Sequence, residues 1–346
     1  MSGGVDSSVA AARLVEAGHD VTGMYMQLSN AESSYSYGIP DDPRDAQRVA
    51  SILGIPFLVW DFAAEYEKSV VDYFQEEYAA GRTPNPCLRC NRTIKFGKTL
   101  QTALDSGFDA FATGHYVRTD VVDGKTRLLR SHNLPKDQSY VLGVLNQHQL
   151  SHAVFPLGDE TEKSAVRAEA ERRGLPVAEK KDSYDICFIR TGTAASFLKE
   201  RLGVKPGDIV DEEGEVLGHH DGAFQYTVGQ RKGLALGKPA KDGKPRFVLG
   251  IDPVTNSVKV GPRDHLRVQT IRGKSLTFTE ERVGEPWEGF AQWRAHSRPV
   301  PARFSYPEGK LLVELKEPAE AVASGQFLIC YDGERVVGSA VIESAQ

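Results

Sequence analysis

Cysteine is scarce in this chain. There are four in 346 residues: Cys87, Cys90, Cys187 and Cys330. So few cannot staple a chain of this length, which excludes a disulfide scaffold and points to a reducing compartment, the cytoplasm. Long apolar runs are missing as well. No stretch of about 18 apolar residues occurs, so a transmembrane helix is excluded and no membrane partner is expected. The first residues also lack the basic and apolar regions of a secretory signal. Positive charge is not in excess: 42 Lys+Arg stand against 47 Asp+Glu, a net of −5. That excludes a wholly basic nucleic-acid coat but leaves room for a local basic patch. Neither a Walker A sequence nor a dinucleotide-binding fingerprint appears. What is present is ordinary for a globular protein, with 40% hydrophobic and 26% charged residues. The length suggests two or three domains at roughly 100–200 residues each.

The chain opens on Ser2-Gly3-Gly4-Val5-Asp6-Ser7-Ser8, followed by a helical pattern (Val9, Ala12, Leu14, Val15) that closes on Gly18. His19 to Met26 then reads as a short buried strand. Loop, helix and strand imply a βαβ unit whose first strand is absent. A glycine-rich loop entering a helix presents N–H groups to an anion, and the helix N-terminus adds partial positive charge. Ser2, Ser7 and Ser8 bring hydroxyls for phosphate oxygens. The same residues also read as a plain turn with a helix cap. Further on, 45–53 is helical and ends at Gly54, 55–60 is strand-like, 63–80 is a long amphipathic helix, 97–106 is helical and 109–113 is a short strand. Strands spaced by helices predict a doubly wound parallel α/β sheet over residues 1–200. Ligands bind such sheets at the carboxyl ends of the strands, where Met26, Thr113, Gly114 and His115 fall.

Two cysteine segments carry the chemistry. In the first, Pro84-Asn85-Pro86-Cys87-Leu88-Arg89-Cys90-Asn91-Arg92, the prolines predict extended backbone up to Cys87 and a helix starting near Asn91. Cys90 would then sit at a helix N-terminus between two arginines, and both features favour a thiolate. The second, Lys180-Lys181-Asp182-Ser183-Tyr184-Asp185-Ile186-Cys187-Phe188-Ile189, sets Cys187 after two lysines and two aspartates. Cys87 and Cys90 also have the spacing of half a zinc site or of a redox dithiol, though no second Cys-x-x-Cys completes the former. Cys330, in an apolar strand pattern, reads as a core residue.

The opening loop resembles the Ser-Gly-Gly-X-Asp-Ser loop of the ATP-pyrophosphatase (PP-loop) superfamily. A closer resemblance rests on five segments in order. They are Pro84-Asn85-Pro86-x-x-x-Cys90-Asn91-x-x-Ile94-Lys95-Phe96, Thr113-Gly114-His115-Tyr116, Lys136-Asp137-Gln138-Ser139-Tyr140, Asp185-Ile186-Cys187-Phe188-Ile189, and Gln225-Tyr226-x-x-Gly229-Gln230-Arg231-Lys232-Gly233-Leu234. Together they resemble the tRNA-specific 2-thiouridylase family, from Ser2 to about Gln326. The resemblance implies ATP, with Mg2+, at Ser2, Gly3, Gly4, Val5, Asp6 and Ser7, and Met26 and Gly114 lining the adenine pocket. It implies adenylation of the C2 oxygen of a wobble uridine in tRNA, and Cys187 as persulfide carrier loaded by a sulfur-donor protein (a cysteine desulfurase or a sulfur relay protein). Cys90 is implied as the nucleophile that ends in a transient disulfide with Cys187. It places tRNA contacts at Asn85, Pro86, Cys87, His115, Lys136, Asp137, Gln138 and Gln326. Many family members have Asp where this chain has Cys87, so the general acid/base falls to Cys87, Asp182 or Asp185, or is unassigned. The basic residues Arg167, Arg172, Arg173, Lys180 and Lys181 read either as a phosphate-facing patch or as a solvated face, with Arg294 and Arg298 as weaker candidates.

Beyond residue 200 helical periodicity fades. A small β-rich domain is expected over 201–265 and a C-terminal β-barrel, gripping tRNA, over 266–346. Residues 201–346 hold 20 Lys+Arg against 20 Asp+Glu, so the acidic excess lies wholly in the first 200. Two other functions compete. One is a different PP-loop enzyme, such as an amidotransferase or ligase on a small substrate, which needs neither Cys90 nor Cys187. The other is a non-catalytic RNA-binding protein, which would release no pyrophosphate.

Overall fold

The structure is a computed structural model that describes residues 1–29, 42–180, 186–189, 192–234, 236–237, 243–280, 284–295 and 297–346. Helix Val5–Glu16 starts from extended Gly4 and buries Val5, Val9 and three successive alanines, while Gly18 closes it at φ +84°. Strand Gly23–Gln27 follows and pairs in parallel with Phe57–Asp61, in register from Gly23↔Phe57. Between them, helix Arg44–Leu53 ends on left-handed Gly54, as its sequence predicts. A second parallel pair joins Phe111–Ala112 to Ala153–Val154. The parallel sheet therefore stands in two halves with the opening loop between them. The Met1 amine donates to the Met24 carbonyl on one side. On the other, a Cβ on Gly114 would come within 2.7 Å of the Ser7 nitrogen.

Two long helices line this domain, and both contain a widened turn. Residues 63–79 run through Ala63–Tyr66, a π-helical stretch Glu67–Asp72, and Tyr73–Ala79. Residues 86–105 run through Pro86–Cys90, a π-helical stretch Asn91–Thr99, and Leu100–Asp105. Such widened turns are frequent at functional sites. The second helix starts five residues before the predicted point. Pro86 occupies the first helical turn, where its missing N–H costs nothing, and the Asn85 side chain accepts from the Cys87 and Leu88 amides at 3.2 and 3.4 Å. The proline thus starts the helix instead of delaying it. The segment Ser139–Leu142, whose residues have the composition of a strand, is helical as well. Asp137 accepts from both the amide and the hydroxyl of Ser139, at 3.2 and 2.7 Å, and this local capping outweighs the β-propensity of Tyr140 and Val141.

A hairpin that sequence reading did not anticipate, Val117–Val122 with Lys125–Arg130, leaves the first domain and pairs with the last strand, Arg335–Ala345 (Leu129↔Arg335, Leu128↔Val336). One core spans the junction, joining Leu88, Phe96, Leu128 and Tyr140 to Phe327, Ile329 and Val336. The middle domain is a four-stranded sheet of Gly207–Val210, Val216–His220, Phe247–Asp252 and Ser257–Gly261 around Ile209, Val248 and Val258. The C-terminal domain is a closed six-stranded antiparallel barrel. Its strands are Arg267–Phe278, Trp287–Gln292, Val300–Ser305, Leu311–Glu320, Phe327–Asp332 and Arg335–Ala345, and the first pairs with the last. Side chains fill its interior; Trp287 stacks on Phe304 with centroids 4.2 Å apart, and Cys330 is buried as expected. No described helix is long and apolar enough to cross a membrane.

Candidate active site

The opening loop is held from within. Ser2 donates its amide to Ser7 Oγ at 3.2 Å, and the hydroxyls of Ser7 and Ser8 donate to the Gly4 carbonyl at 3.1 and 2.8 Å. Gly3 sits at φ +68°, and any Cβ there would stand 3.0 Å from Cβ of Asp45. Gly114 is equally constrained, since its Cβ would lie 2.6 Å from the Asp6 carbonyl carbon. The structure thus brings Gly114 against the Ser2–Ser7 loop. Met26, at the end of its strand, accepts from the Thr99 hydroxyl at 3.3 Å, which ties that strand to the cysteine-bearing helix. Three residues that sequence reasoning did not assign to the loop converge on it. Tyr116 donates to Asp6 Oδ1 at 2.7 Å, Lys163 pairs with the same oxygen, and Lys180 Nζ donates to the Gly3 carbonyl at 3.0 Å. Lys163 lies 157 residues from Asp6, so no local pattern could reveal the pairing.

The thiols gather around Tyr66. Its hydroxyl lies 2.8 Å from Cys187 Sγ, and the fields of Cys187, Cys90 and Cys87 all reach it. Cys90 and Cys87 are one helical turn apart, Cys90 buried and Cys87 exposed. The expected activation of Cys90 by a helix N-terminus and two arginines is not what the structure shows. Cys90 is the fifth residue of its helix and only 6% exposed. Burial, offset in part by Lys95, pushes its thiol up to about 12. The arginines face elsewhere: Arg89 donates to the Ser69 carbonyl at 3.0 Å and stacks over Tyr73 at 4.6 Å. Burial, then Arg89, pushes Arg92 down. Lys95 is the cation that favours thiolate at both Cys90 and Cys87, although burial pushes Cys87 up on balance. It stood within the Ile94-Lys95-Phe96 segment, but nothing in the sequence singled it out. Beside Cys90, Asn91 Oδ1 is buried without a hydrogen-bond partner, an acceptor left over at the site.

The residues expected to contact tRNA fall into two groups. Asn85 and Pro86 build the helix start under Cys87, and Asn85 also bonds the Tyr140 hydroxyl. Tyr140 in turn donates to the Phe327 carbonyl at 3.1 Å. Gln326 is next to Phe327. Its loop is pinned to the same segment by the Thr83 amide, which donates to the Ser324 carbonyl at 2.8 Å. Asn85, Pro86, Cys87 and Gln326 are therefore brought together across the domain junction. His115 bonds Thr113 Oγ1 at 2.8 Å between the rings of Phe96 and Phe155, and burial, then Lys95, holds it well below its ordinary range and so neutral. Lys136 closes a 3-10 turn, while Asp137 and Gln138 shape that turn: Asp137 accepts from Ser131 and Ser139, and Gln138 Oε1 from the Tyr116 amide at 2.9 Å. Several basic candidates are engaged inside the molecule. Arg167 donates to the carbonyls of Ala178 and Lys180, Arg173 pairs with Glu16 and Glu169, and Arg294 donates to the Ala321 carbonyl. Lys181, Asp182 and Asp185 lie outside the described residues. Cys330 sits in the barrel core, and the described residues contain no group of three His, Cys, Asp or Glu able to hold a metal, so no four-thiolate zinc site forms among them.

Comparison with known proteins places this arrangement. The sequence matches, in order, domains described as tRNA methyl transferase HUP (1–191), tRNA methyl transferase PRC-barrel (195–262) and aminomethyltransferase beta-barrel (268–342). It is 54% identical over 347 residues to the tRNA-specific 2-thiouridylase MnmA of Cutibacterium acnes, covering 99% of this chain and 94% of that protein. The chain belongs to the tRNA-specific 2-thiouridylase family. The proteins of the same name from Streptomyces coelicolor and Thermobifida fusca are both 53% identical, over 99% of this chain and 93% and 94% of theirs. The domain descriptions speak of methyl transfer and the relatives' names of 2-thiolation. A cluster of three thiols around one hydroxyl suits sulfur transfer, and the 2-thiouridylase reading accounts for it.

Proposed function

We propose that this chain is an ATP-dependent tRNA sulfurtransferase that replaces the C2 oxygen of a wobble uridine with sulfur. The observation that carries the proposal is the thiol cluster: a buried Cys90 and an exposed Cys187 lie around one tyrosine, and the helix of Cys90 also touches the nucleotide-side strand through Thr99 and Met26. ATP binds at Ser2–Ser7, where the amides at the start of helix Val5–Glu16 face the phosphates. Met26 and Gly114 line the adenine side. A Mg2+ bound with the phosphates would need only one or two protein carboxylates; Asp6, the loop's own, would hold it, and the ion would neutralise phosphate charge there. Lys163 and Lys180, already at the loop, add charge for the departing pyrophosphate.

The uridine C2 oxygen attacks the α-phosphorus and pyrophosphate leaves, turning a poor leaving group into a good one. Cys187, exposed and so reachable, takes a sulfur atom from the persulfide of a cysteine desulfurase or a sulfur relay protein in the cytoplasm. The persulfide sulfur, or sulfide released from it, attacks C2 and expels AMP. Cys90 attacks Cys187 and the two end as a disulfide, which a cellular thiol must reduce before the next cycle. Enzymes of this kind take a base out of its stack. The junction formed by Asn85, Pro86, Cys87 and Gln326 receives it, with His115, Lys136, Asp137 and Gln138 nearby along the RNA. The Cys87 thiol, pushed upward, keeps its proton at neutral pH and is placed to donate it. The test is ATP-dependent thiolation of wobble-uridine tRNA by wild type, Cys90→Ser and Cys187→Ser. Full activity in either variant overturns the proposal. Unchanged single-turnover thiolation in Cys87→Ser removes Cys87 from proton transfer.

A further inference from the structure

Tyr66 has no part in the mechanism above, yet it touches one of its reacting atoms. It is 1% exposed, at the end of Ala63–Tyr66 where the π-helical stretch begins. Its ring meets Phe188 edge-on at 6.3 Å, and Phe188 packs on Phe74 and Phe197 at 5.2 and 5.3 Å. Phe188 is the neighbour of Cys187 in the chain and is itself buried. The aromatic cluster therefore plugs one side of the Cys187 segment into the core, while Cys187 faces solvent with its Sγ 2.8 Å from the Tyr66 hydroxyl.

We propose that Tyr66 is a positioning residue for sulfur delivery: its hydroxyl donates to Cys187 Sγ, fixes that sulfur as the inner atom of the persulfide, and presents it to Cys90. This rests on the thiolation reading above. Burial and the surrounding thiols keep the Tyr66 hydroxyl protonated, so it is a permanent donor. When Cys187 carries sulfur, Sγ is bonded to the terminal sulfur. A Cys90 thiolate that attacks Sγ forms the Cys90–Cys187 bond, and the bond from Sγ to the terminal sulfur breaks. The electron pair leaves with the terminal sulfur, as sulfide or as the thiolated uracil. Cys90 is oxidised, Cys187 Sγ keeps the oxidation level it had in the persulfide, and the transferred sulfur is reduced. Attack on the terminal sulfur instead would strand it on Cys90. Which sulfur is attacked decides the outcome of such an exchange, and a donor held on the inner one directs it.

The experiment uses the full chain loaded at Cys187 by a small-molecule persulfide donor, wobble-uridine tRNA and ATP. Tyr66→Phe keeps the ring in the aromatic cluster and removes only the hydroxyl. Two rates are read in single turnover: pyrophosphate release, which needs no thiol, and formation of thiolated tRNA with the Cys90–Cys187 disulfide by mass spectrometry. Tyr66→Phe is expected to slow product and disulfide formation about tenfold, the loss of one hydrogen bond to a charged or polarised sulfur, with pyrophosphate release unchanged. Equal slowing of both rates would make Tyr66 a structural residue, and no slowing of either would remove the hydroxyl from the path; each overturns the proposal. Cys187→Ser is run beside it. If that variant thiolates normally, the carrier reading has failed, which is a separate result from a normal Tyr66→Phe.

Discussion

The resting state of Cys90 can be measured directly. With its thiol pushed up to about 12 from an ordinary 9.0, roughly one Cys90 in ten thousand is ionised at pH 8, against about one in ten for an unperturbed thiol. Only the thiolate is alkylated, so Cys90 in the folded enzyme should react with iodoacetamide on the order of a thousandfold more slowly than in unfolded chain. Its rate should climb about tenfold per pH unit until near 12. Timed quenching and peptide mass spectrometry resolve the four cysteines separately. Cys330, buried in the barrel, serves as an internal blank, and urea-unfolded protein gives the unprotected rate. Lys95 opposes burial at Cys90, so Lys95→Met should slow alkylation further. The reasoning fails if Cys90 in the native enzyme is alkylated within tenfold of its unfolded rate at pH 8. Should it hold, the proposed nucleophile is stored as a thiol, and arrival of substrate or persulfide must deliver the ionisation.

Three further outcomes follow from the geometry. Gly114→Ala sets a Cβ 2.6 Å from backbone of Asp6; ATP-dependent pyrophosphate release should drop at least about tenfold while the fold persists by circular dichroism. Asn85→Ala removes a cap and a bond to Tyr140 together and should cost about 1–2 kcal/mol in urea unfolding, with thiolation falling along with it. Alkaline stability carries a sign: the folded state holds the Cys90 proton after the unfolded state has lost it. Stability from this group is therefore complete below about pH 9 and declines as pH rises toward 12, by about 1.4 kcal/mol per pH unit. A urea midpoint that stays level between pH 9 and 11 would contradict this.

Local signals carried most of the architecture. Gly54 ends its helix where a left-handed residue should, the loop at Ser2–Ser7 enters a helix, and Cys330 lies in a core strand. What sequence could not reveal was set by neighbours distant in the chain. The activation expected for Cys90 was inferred from Arg89 and Arg92, yet Arg89 turns to Ser69 and Tyr73, and desolvation then dominates. Pro86 is legible as a breaker or as a first helical residue, and the Asn85 cap decides between them. Ser139–Leu142 has strand-like residues, but a carboxylate two residues upstream starts a turn of helix. Tyr66, Lys95, Lys163 and Tyr116 sit in unremarkable positions along the chain and acquire meaning only from what they meet across it.

The hairpin 117–130 has a consequence for where the barrel stands. Because Leu128 and Leu129 extend the ladder of the final barrel strand, and Thr83 is bonded to Ser324, the barrel is welded to the first domain at two points, one of them just before the thiol helix. It is a fixed jig, not an arm on a tether. On the proposed reading, an RNA seated on the barrel would be held at a set distance from Cys90, and the base reaching the thiols would be the one that span picks out.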